Sequence, residues 1–452
     1  MKNNILVDRP REIALKVLYD VNVNNAYSNI SLKNALNTSD LSAIDRAFIT
    51  QLVYGVVRNK SRIDWIISKF SKTPIKKISP WVQNILRLGI YQIVFLDKVP
   101  KSAAVNESVK LGKKYGHHKI GGYINGVLRH IIRANSGDLM PERNDEIKYL
   151  SIIYSHPKWL VKKYIEDFGP IAAKEILEKN NLSPDITIRT NTLKISREEL
   201  MELLSQEGFE VKKGKWCAEA IIVHNISNIE DSPSFKKGLF QIQDQSSMLV
   251  AHILNPLEDQ LVIDTCAAPG GKTTHIAQIM KNTGKVIARD IYQHKLTIVK
   301  KNVERLGITN IQLEDFDALK IDEKLFNKAD RVLVDAPCSG LGIIRRKPDL
   351  KWNKNPEDIA SIREMQIKIL QNASNYVKKD GFLVYSTCTI NPEENQDIIE
   401  GFLDSNSSFK LLPIEAIADP MKTHEEIQKG YLQIFPHVDD IDGFFICRMQ
   451  RI

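Results

Sequence analysis

Residues 261–275 read LVIDTCAAPGGKTTH. An apolar run closes on Asp264, small residues and two glycines follow, and a helix-forming stretch comes next. The pattern predicts strand, tight turn, helix. Gly270 and Gly271 let the backbone approach a ligand and tolerate positive φ, and the helix start offers free N–H groups to a polar or anionic ligand. Two nucleotide-type ligands compete for such a turn. GGKTT matches the end of a phosphate-binding loop, but that motif has a glycine five residues before the glycine of GK[ST], and Cys266 occupies the position. A nucleoside-containing methyl donor instead requires an acidic residue about 20 residues on, closing the next strand, for a ribose diol. KVIARD supplies it as Asp290.

Two further strand ends carry reactive groups. RVLVDAPCSG places Asp335 and Cys338 after one apolar strand, and FLVYSTCTINPEEN places Thr387 and Cys388 after another. Asp335 also fits a magnesium-holding strand-end acid of an NTPase, although Pro337 and Cys338 follow at once. As a partner for a base, Asp335 can hydrogen-bond an edge near N3 and the exocyclic amine. A lone cysteine is usually core, but two on one sheet edge suit cytosine C5. That carbon is too weak a nucleophile to take a sulfonium methyl directly. A thiolate adding to C6 turns C5 into an enamine-like carbanion equivalent, splitting one hard step into two easier ones. The thiol must be partly ionised, which a helix N-terminus or a nearby cation favours. Spacing leaves open which of Cys338 and Cys388 attacks.

CAAPGGKTTH, DAPCSGLGIIRRKPDLKW, YSTCTINPEEN and the terminal DGFFICRM together resemble RNA cytosine-C5 methyltransferases. DRAFITQLVYGVVRNKSRID, LRLGIYQIVFLDKVPKSAAVNESVKLGKKYG and GGYINGVLRHI are similar to the NusB-type RNA-binding helical domain. Combined, they resemble the bacterial Sun/RsmB-type 16S rRNA methyltransferases over nearly the whole chain. The resemblance implies Cys388 as nucleophile, Cys338 as the thiol assisting release, and Asp335 beside the methyl and base. It implies S-adenosylmethionine held by Cys266, Ala267, Ala268, Pro269, Gly270, Gly271 and Lys272, with Asp290 on the ribose and Asp317 near the adenine. EDFDALK departs from the family pattern, so Asp315 competes with Asp317, and Leu319 stands where an arginine is expected. The substrate implied is 16S ribosomal RNA. A tRNA substrate is the alternative within the class, and an NTPase or a non-catalytic RNA-binding antitermination-type factor are the alternatives outside it.

The elements that position these groups follow from periodicity. Residues 246–452 alternate apolar strands with helices, LVID, KVIARD, IQLED, RVLVD, FLVYS and FFICRM, which predicts a doubly wound, mostly parallel α/β sheet with a final antiparallel hairpin. Residues 1–140 repeat apolar positions at helical spacing and predict an all-α bundle. Ser39 and Asp40 suit one helix start, Ser79-Pro80 another. The adjacent His117 and His118 read as a solvated loop. Residues 134–148 are polar with glycine and proline and read as a linker. Residues 151–245 predict a small α+β module, with the capping box Ser196-x-x-Glu199. Arg189 and Asn191 are its candidate RNA contacts, and residues 243–247, QDQSS, a floor for the site.

Composition sets the remaining bounds. The chain has 452 residues, 43% hydrophobic and 26% charged, in the range of a soluble globular protein of two or three domains. No apolar run is long enough to span a membrane. Five scattered cysteines without a CxxC pair argue against a disulfide framework and a structural zinc site, so no metal is expected and a reducing cytoplasm is. Residues 1–150 hold 24 Lys and Arg against 12 Asp and Glu, a net of +12, while the remainder carries −4. A basic front on a near-neutral rear points to a polyanionic partner for the front. A monomer is the expected state.

Overall fold

The computed structural model describes residues 5–37, 39–224 and 229–452. The chain divides into two compact units. One comprises residues 1–182 with residues 344–353; the other comprises residues 183–343 and 354–452.

The first unit is all-helical. Seven helices, Arg9–Val23, Ser28–Asn37, Ala43–Arg58, Lys60–Phe70, Pro80–Phe95, Lys101–Tyr115 and His118–Arg133, enclose one apolar core. Their ends follow local chemistry. The Asp8 carboxylate caps the first helix, and Pro80 opens the fifth with Ser79 before it. The helix expected to begin near Ser39 and Asp40 begins at Ala43, because Ser42 supplies the capping oxygen to the Asp45 N–H. His118 opens the last of the seven helices, so only His117 lies outside it. Helix Pro80–Phe95 is the central one, and even its polar residues Asn84, Arg87 and Gln92 are buried. Arg87 meets Asp64 through two hydrogen bonds of 2.7 and 2.8 Å, the fork geometry that suits a guanidinium–carboxylate pair. Gly55 allows Tyr91 to lie against its helix: a Cβ there would sit 1.9 Å from the tyrosine ring.

The stretch expected to be a linker is structured in part. It holds a 3-10 turn, Ser136–Leu139, and the start of helix Glu146–Ile153. Helix Lys158–Lys179 breaks at Gly169, where φ is +78°, so that two helical segments meet there. Residues 344–353 are far away in sequence yet pack within this unit. Trp352 Nε1 donates to the Val57 carbonyl (2.8 Å). Lys351, fully buried, donates to the Arg58 carbonyl (2.9 Å) and Asn181 Oδ1 (3.2 Å). Burial pushes its ammonium well below the usual lysine range. Asp349, also buried, accepts from the Ser28 hydroxyl and, at 3.4 Å, from the Ser28 N–H.

The second unit has two sheets. The smaller is antiparallel, in the order β2-β3-β1-β4, with β1 Ile186–Thr190, β2 Glu210–Lys213, β3 Ala220–His224 and β4 Phe240–Ile242. Helix Arg197–Gln206 covers it and carries the predicted capping box on Ser196 and Glu199. The larger sheet contains β5 Leu261–Asp264, β6 Lys285–Asp290, β7 Ile311–Asp315, β8 Ala329–Asp335, β9 Val377–Thr387, β10 Phe409–Leu411, β11 Tyr431–Ile434 and β12 Phe444–Arg451. Its order is β10-β12-β9-β8-β5-β6-β7, with β11 paired to β12. Strands β5 to β9 run parallel; β12 is antiparallel to β9, and β10 and β11 are antiparallel to β12. The strand order reverses between β5 and β8, and ligands of such sheets bind at the carboxyl ends beside that reversal.

Alternation along each strand covers both faces. Val262, Leu333, Val384 and Ile446 enter one core with helix Gln245–Leu254; Ile263, Val332, Val334, Leu383, Tyr385 and Phe445 enter the other with helices Pro356–Ser374 and Gln396–Ser405. A strand buried on both sides cannot shift register by one residue without exchanging its two faces.

Replacing Asp349 with Ala leaves the Ser28 N–H and hydroxyl buried without their acceptor. Urea unfolding should show a loss of about 1–3 kcal/mol; an unchanged midpoint and slope would mean that residues 344–353 add nothing to the helical unit.

Candidate active site

The groups singled out in the sequence converge on the carboxyl ends of β5, β6, β8 and β9. The turn after β5 is closed by a hydrogen bond from the Gly270 N–H to the Ala267 carbonyl (2.7 Å). Gly270 has φ +96°, and a Cβ on it would lie 3.0 Å from Val299, so both conformation and space require glycine. Helix Gly271–Ile279 starts at once, with no side-chain cap on its first N–H groups. Beneath the turn, Asp264 is buried and accepts from the Thr273 hydroxyl (2.7 Å) and, weakly, from the Cys266 N–H (3.4 Å). Burial, with Asp335 adding repulsion, pushes its carboxyl up to about 7.

Asp290, at the end of β6, is nearly buried. Its two oxygens accept from the Ala268 N–H (3.3 Å) and the Tyr292 N–H (3.0 Å). Each oxygen keeps a second lone pair, so the carboxylate is fixed in place and can still accept from a diol. Asp315 ends β7 in register with Asp290 and is exposed, while Asp317 is half-buried and accepts from the Leu319 N–H (3.0 Å). An acceptor fixed at the end of β6, a glycine turn and uncapped helix N–H groups form a donor and acceptor set that fits a nucleoside with a zwitterionic tail.

Strands β8 and β9 run in parallel with Asp335 opposite Ser386. The Ser386 hydroxyl donates to Asp335 Oδ1 (2.9 Å), and Lys272 Nζ lies 2.7 Å from Asp335 Oδ2. The Lys272 ammonium also stands over the Phe444 ring, 4.9 Å from its centroid. Three residues beyond Asp335 and two beyond Ser386 come the half-buried Cys338 and Cys388, with their Sγ atoms 3.3 Å apart. None of the five cysteines, all of them described, is in a disulfide. The hydrogen bond shared with Cys388, then burial, raises Cys338 well above the usual thiol range. Either sulfur can donate in this contact.

Two predicted contacts need correction. Arg189 and Asn191 are both buried and are spent inside the unit. Arg189 donates to the Gly271 carbonyl (2.7 Å), Thr274 Oγ1 (3.1 Å), Gln278 Oε1 (3.2 Å) and Gln243 Oε1; burial lowers its guanidinium to about 9. The Asn191 amide donates to the Gly238 and Leu306 carbonyls, both at 2.9 Å. Arg189 braces the start of helix Gly271–Ile279, and Asn191 ties together the segments at Gly238 and Leu306. Of residues 243–247, Gln243 accepts from Arg189 and lies beside Gly271, while Asp244 caps the following helix.

A metal-type cluster among the described residues, Cys217, Glu219 and His252, is closed by hydrogen bonds. His252 Nε2 lies 2.8 Å from Glu219 Oε1, and His275 Nε2, from outside the cluster, lies 2.8 Å from the same oxygen. Sequence reasoning missed the Lys272–Asp335 pair and the polar residues after Cys388, including the fully buried Glu394. The signal available was the density of acid and amide side chains in TINPEEN.

An α/β unit with this strand order, a glycine turn after β5 and an acid ending β6 has the architecture of a nucleoside-cofactor methyltransferase. Comparison with known proteins specifies it. Residues 251–450 match the family described as 16S rRNA methyltransferase RsmB/F, residues 8–133 the NusB family, and residues 156–230 the ferredoxin-like domain of RsmF/B-like methyltransferases. A probable ribosomal RNA small subunit methyltransferase B of Bacillus subtilis is 42% identical over 98% of both chains. A methyltransferase homologue from Pyrococcus horikoshii is similar in structure, with TM-score 0.59 and 32% identity over 68% of this chain and all of that one. NSun6 from Pyrococcus horikoshii, solved with SFG, gives TM-score 0.58 and 26% identity over 65% and 98%. The chain belongs to the RsmB/F family of 16S rRNA methyltransferases.

The buried carboxyl of Asp264 sets a pH signature. Its folded value, about 7, lies above the unfolded value of about 4. The folded state therefore holds a proton that the unfolded state loses, and stability falls as pH rises from about 4 to 7. Asp264→Asn removes that dependence. In the ligand-free protein its stability relative to wild type should rise across this window, by a few kcal/mol at most; parallel curves would refute a protonated Asp264.

Proposed function

We propose that this protein transfers a methyl group from S-adenosylmethionine to C5 of a cytosine in 16S ribosomal RNA, through a covalent bond between Cys388 and C6 of the base. The observation that carries this reading is the pair of thiols 3.3 Å apart at adjacent strand ends, beside the Asp335–Lys272 pair. Ordinary methyl transfer to an oxygen or nitrogen needs no thiol. Cytosine C5 does, and a second thiol suits reversal of the adduct.

The residues act as follows. The family resemblance of YSTCTINPEEN assigns the attack to Cys388, which reacts as its thiolate. The Lys272 ammonium adds a positive field near the base. The Cys388 thiolate adds to C6, and electron density moves toward C5 and N3. Asp335 accepts from the exocyclic amine, while Lys272, 2.7 Å from it, carries the protons that a hydrogen bond to N3 needs. S-adenosylmethionine, when bound, supplies an electrophilic methyl group. The residues that would hold it are Cys266, Ala267, Ala268, Pro269, Gly270, Gly271 and Lys272, with Asp290 for the ribose hydroxyls, Asp317 on the adenine side and Asp335 near the methyl. Loss of the C5 proton to a base then re-forms the C5–C6 double bond and expels Cys388, with Cys338 assisting that release.

The target cytosine must be unpaired or flipped, since C6 is closed to a thiol inside a stacked helix. The basic first 150 residues supply charge for the RNA phosphates, so binding should weaken as salt rises. No helix among the described residues is long and apolar enough to cross a membrane, and a ribosomal RNA substrate supports a cytoplasmic location.

Labelled S-adenosylmethionine with unmodified 16S RNA, and in parallel with a tRNA pool, tests the reading. Wild type should label 5-methylcytosine in 16S RNA. Cys388→Ala should abolish the label, and Cys338→Ala should accumulate protein covalently joined to RNA. Label only in tRNA would overturn the substrate; label surviving Cys388→Ala would overturn the nucleophile.

A further inference from the structure

Glu394 lies six residues past Cys388 and is fully buried. A buried carboxylate is costly unless hydrogen-bonded, and this one is surrounded by donors from both thiol-bearing loops. From the Cys338 loop, the Ser339 N–H donates to Oε1 (2.8 Å) and the Ser339 hydroxyl to Oε2 (2.5 Å). From the Cys388 loop, the Asn391 amide donates to Oε2 (3.0 Å), with Thr389 Oγ1 at the edge of bonding distance, 3.5 Å. The Ser339 and Thr389 hydroxyls are 2.9 Å apart, so the two loops also meet directly. Gln366, from helix Pro356–Ser374, donates to Glu394 Oε1 (3.2 Å) and to the Pro337 carbonyl (2.9 Å), one residue before Cys338. The Glu394 backbone carbonyl accepts from the Tyr385 hydroxyl in β9 (2.8 Å).

The amide oxygens of Gln366 and Asn391 have no partner among the described residues. Turning either amide over would place its oxygen against the carboxylate. Both side chains forgo an acceptor's partner in order to donate, so the Glu394 oxygens dictate their orientation.

We propose that Glu394 is a positioning residue for the two thiols: its single carboxylate ties Ser339, next to Cys338, to Thr389 and Asn391, next to and near Cys388, and so fixes the spacing and aim of the sulfurs. It is sealed from solvent and touches no reacting atom, so it acts through the loops. The inference rests on the two-thiol reading above. Its direct effect, the geometry of the thiol pair, is measurable without RNA or cofactor.

The test compares wild type, Glu394→Gln, Glu394→Asp and Ser339→Ala in the full chain. Glu394→Gln keeps the shape but replaces one acceptor oxygen with a donor facing donors. The first readout is closure of the Cys338–Cys388 pair by diamide, scored as a disulfide by mass spectrometry with Cys217, Cys266 and Cys447 as internal references. Glu394→Gln should slow closure several-fold and leave the reference thiols unchanged. The second is methylation kinetics: kcat should fall by about 100-fold, the loss expected from a misplacement near 1 Å, with KM for cofactor and RNA within about twofold. Glu394→Asp should recover part of both. Should Glu394→Gln fail to fold, Ser339→Ala, which loses one of the two Ser339 bonds, should show both effects in weaker form.

Unchanged diamide closure in a folded Glu394→Gln or Ser339→Ala would overturn the inference whatever happens to activity. Wild-type kcat in Glu394→Gln would overturn it too. Slowed closure with methylation that survives Cys388→Ala would uphold the positioning of the thiols and sink the covalent reading instead, so the two failures are distinguishable.

Discussion

Strands β8 and β9 run side by side in parallel, with Asp335 opposite Ser386, and that register brings the chemistry together. Asp335 and the two thiols all follow from these adjacent strand ends. A one-residue slip of either strand would carry its reactive end away and would exchange Val334 or Val384 between cores. Double-sided burial of the sheet therefore fixes the site more firmly than a hydrogen bond could. The same logic explains why reactive groups sit on the loops: only past the last paired residue can a side chain leave the core and reach substrate.

Charge is handled by containment. Asp335 is balanced by Lys272 and Ser386, Arg189 by carbonyl and amide oxygens, and Glu394 by hydroxyl and amide donors. Asp264 is the exception: it lacks a cation of its own, and burial pushes its carboxyl up to about 7. Each solution avoids an uncompensated buried charge, whose penalty would exceed the gain from any one contact. The result is a set of preorganised polar groups at the carboxyl ends of β5, β6, β8 and β9, and preorganised dipoles are worth most where water is excluded.

Much of this was legible in the sequence. All six principal strands of the large sheet were visible as apolar runs, and their terminal Asp264, Asp290, Asp335 and Cys388 lie on one edge. Strands β2, β10 and β11 were not, because three or four residues carry too little pattern. Arg189 and Asn191 were misplaced for a physical reason: side-chain type suggests a surface, but their partners, Gly271, Thr274, Gly238 and Leu306, are 47 to 115 residues away. Residues 344–353, which follow the Cys338 loop, belong to the helical unit, a placement that no periodicity encodes. Glu394 was in plain view within PEEN, yet only the fold shows that Ser339 reaches it.

The phosphate-loop resemblance of GGKTT shows how context assigns chemistry to a motif. In an NTPase the lysine would hold phosphate and the next hydroxyl would bind magnesium. Here the corresponding Thr273 is fully buried and its hydroxyl is spent on Asp264, while Lys272 is directed to Asp335. The missing glycine at Cys266 is consistent with this, since the backbone there binds back to Asp264 and does not need to wrap a phosphate. What the turn retains is close backbone approach and exposed helix N–H groups, and Asp290 adds an acceptor for hydroxyls. Those features suit a ligand that presents a diol and a compact tail, and Lys272 is paired with the strand-end Asp335 instead of a phosphate.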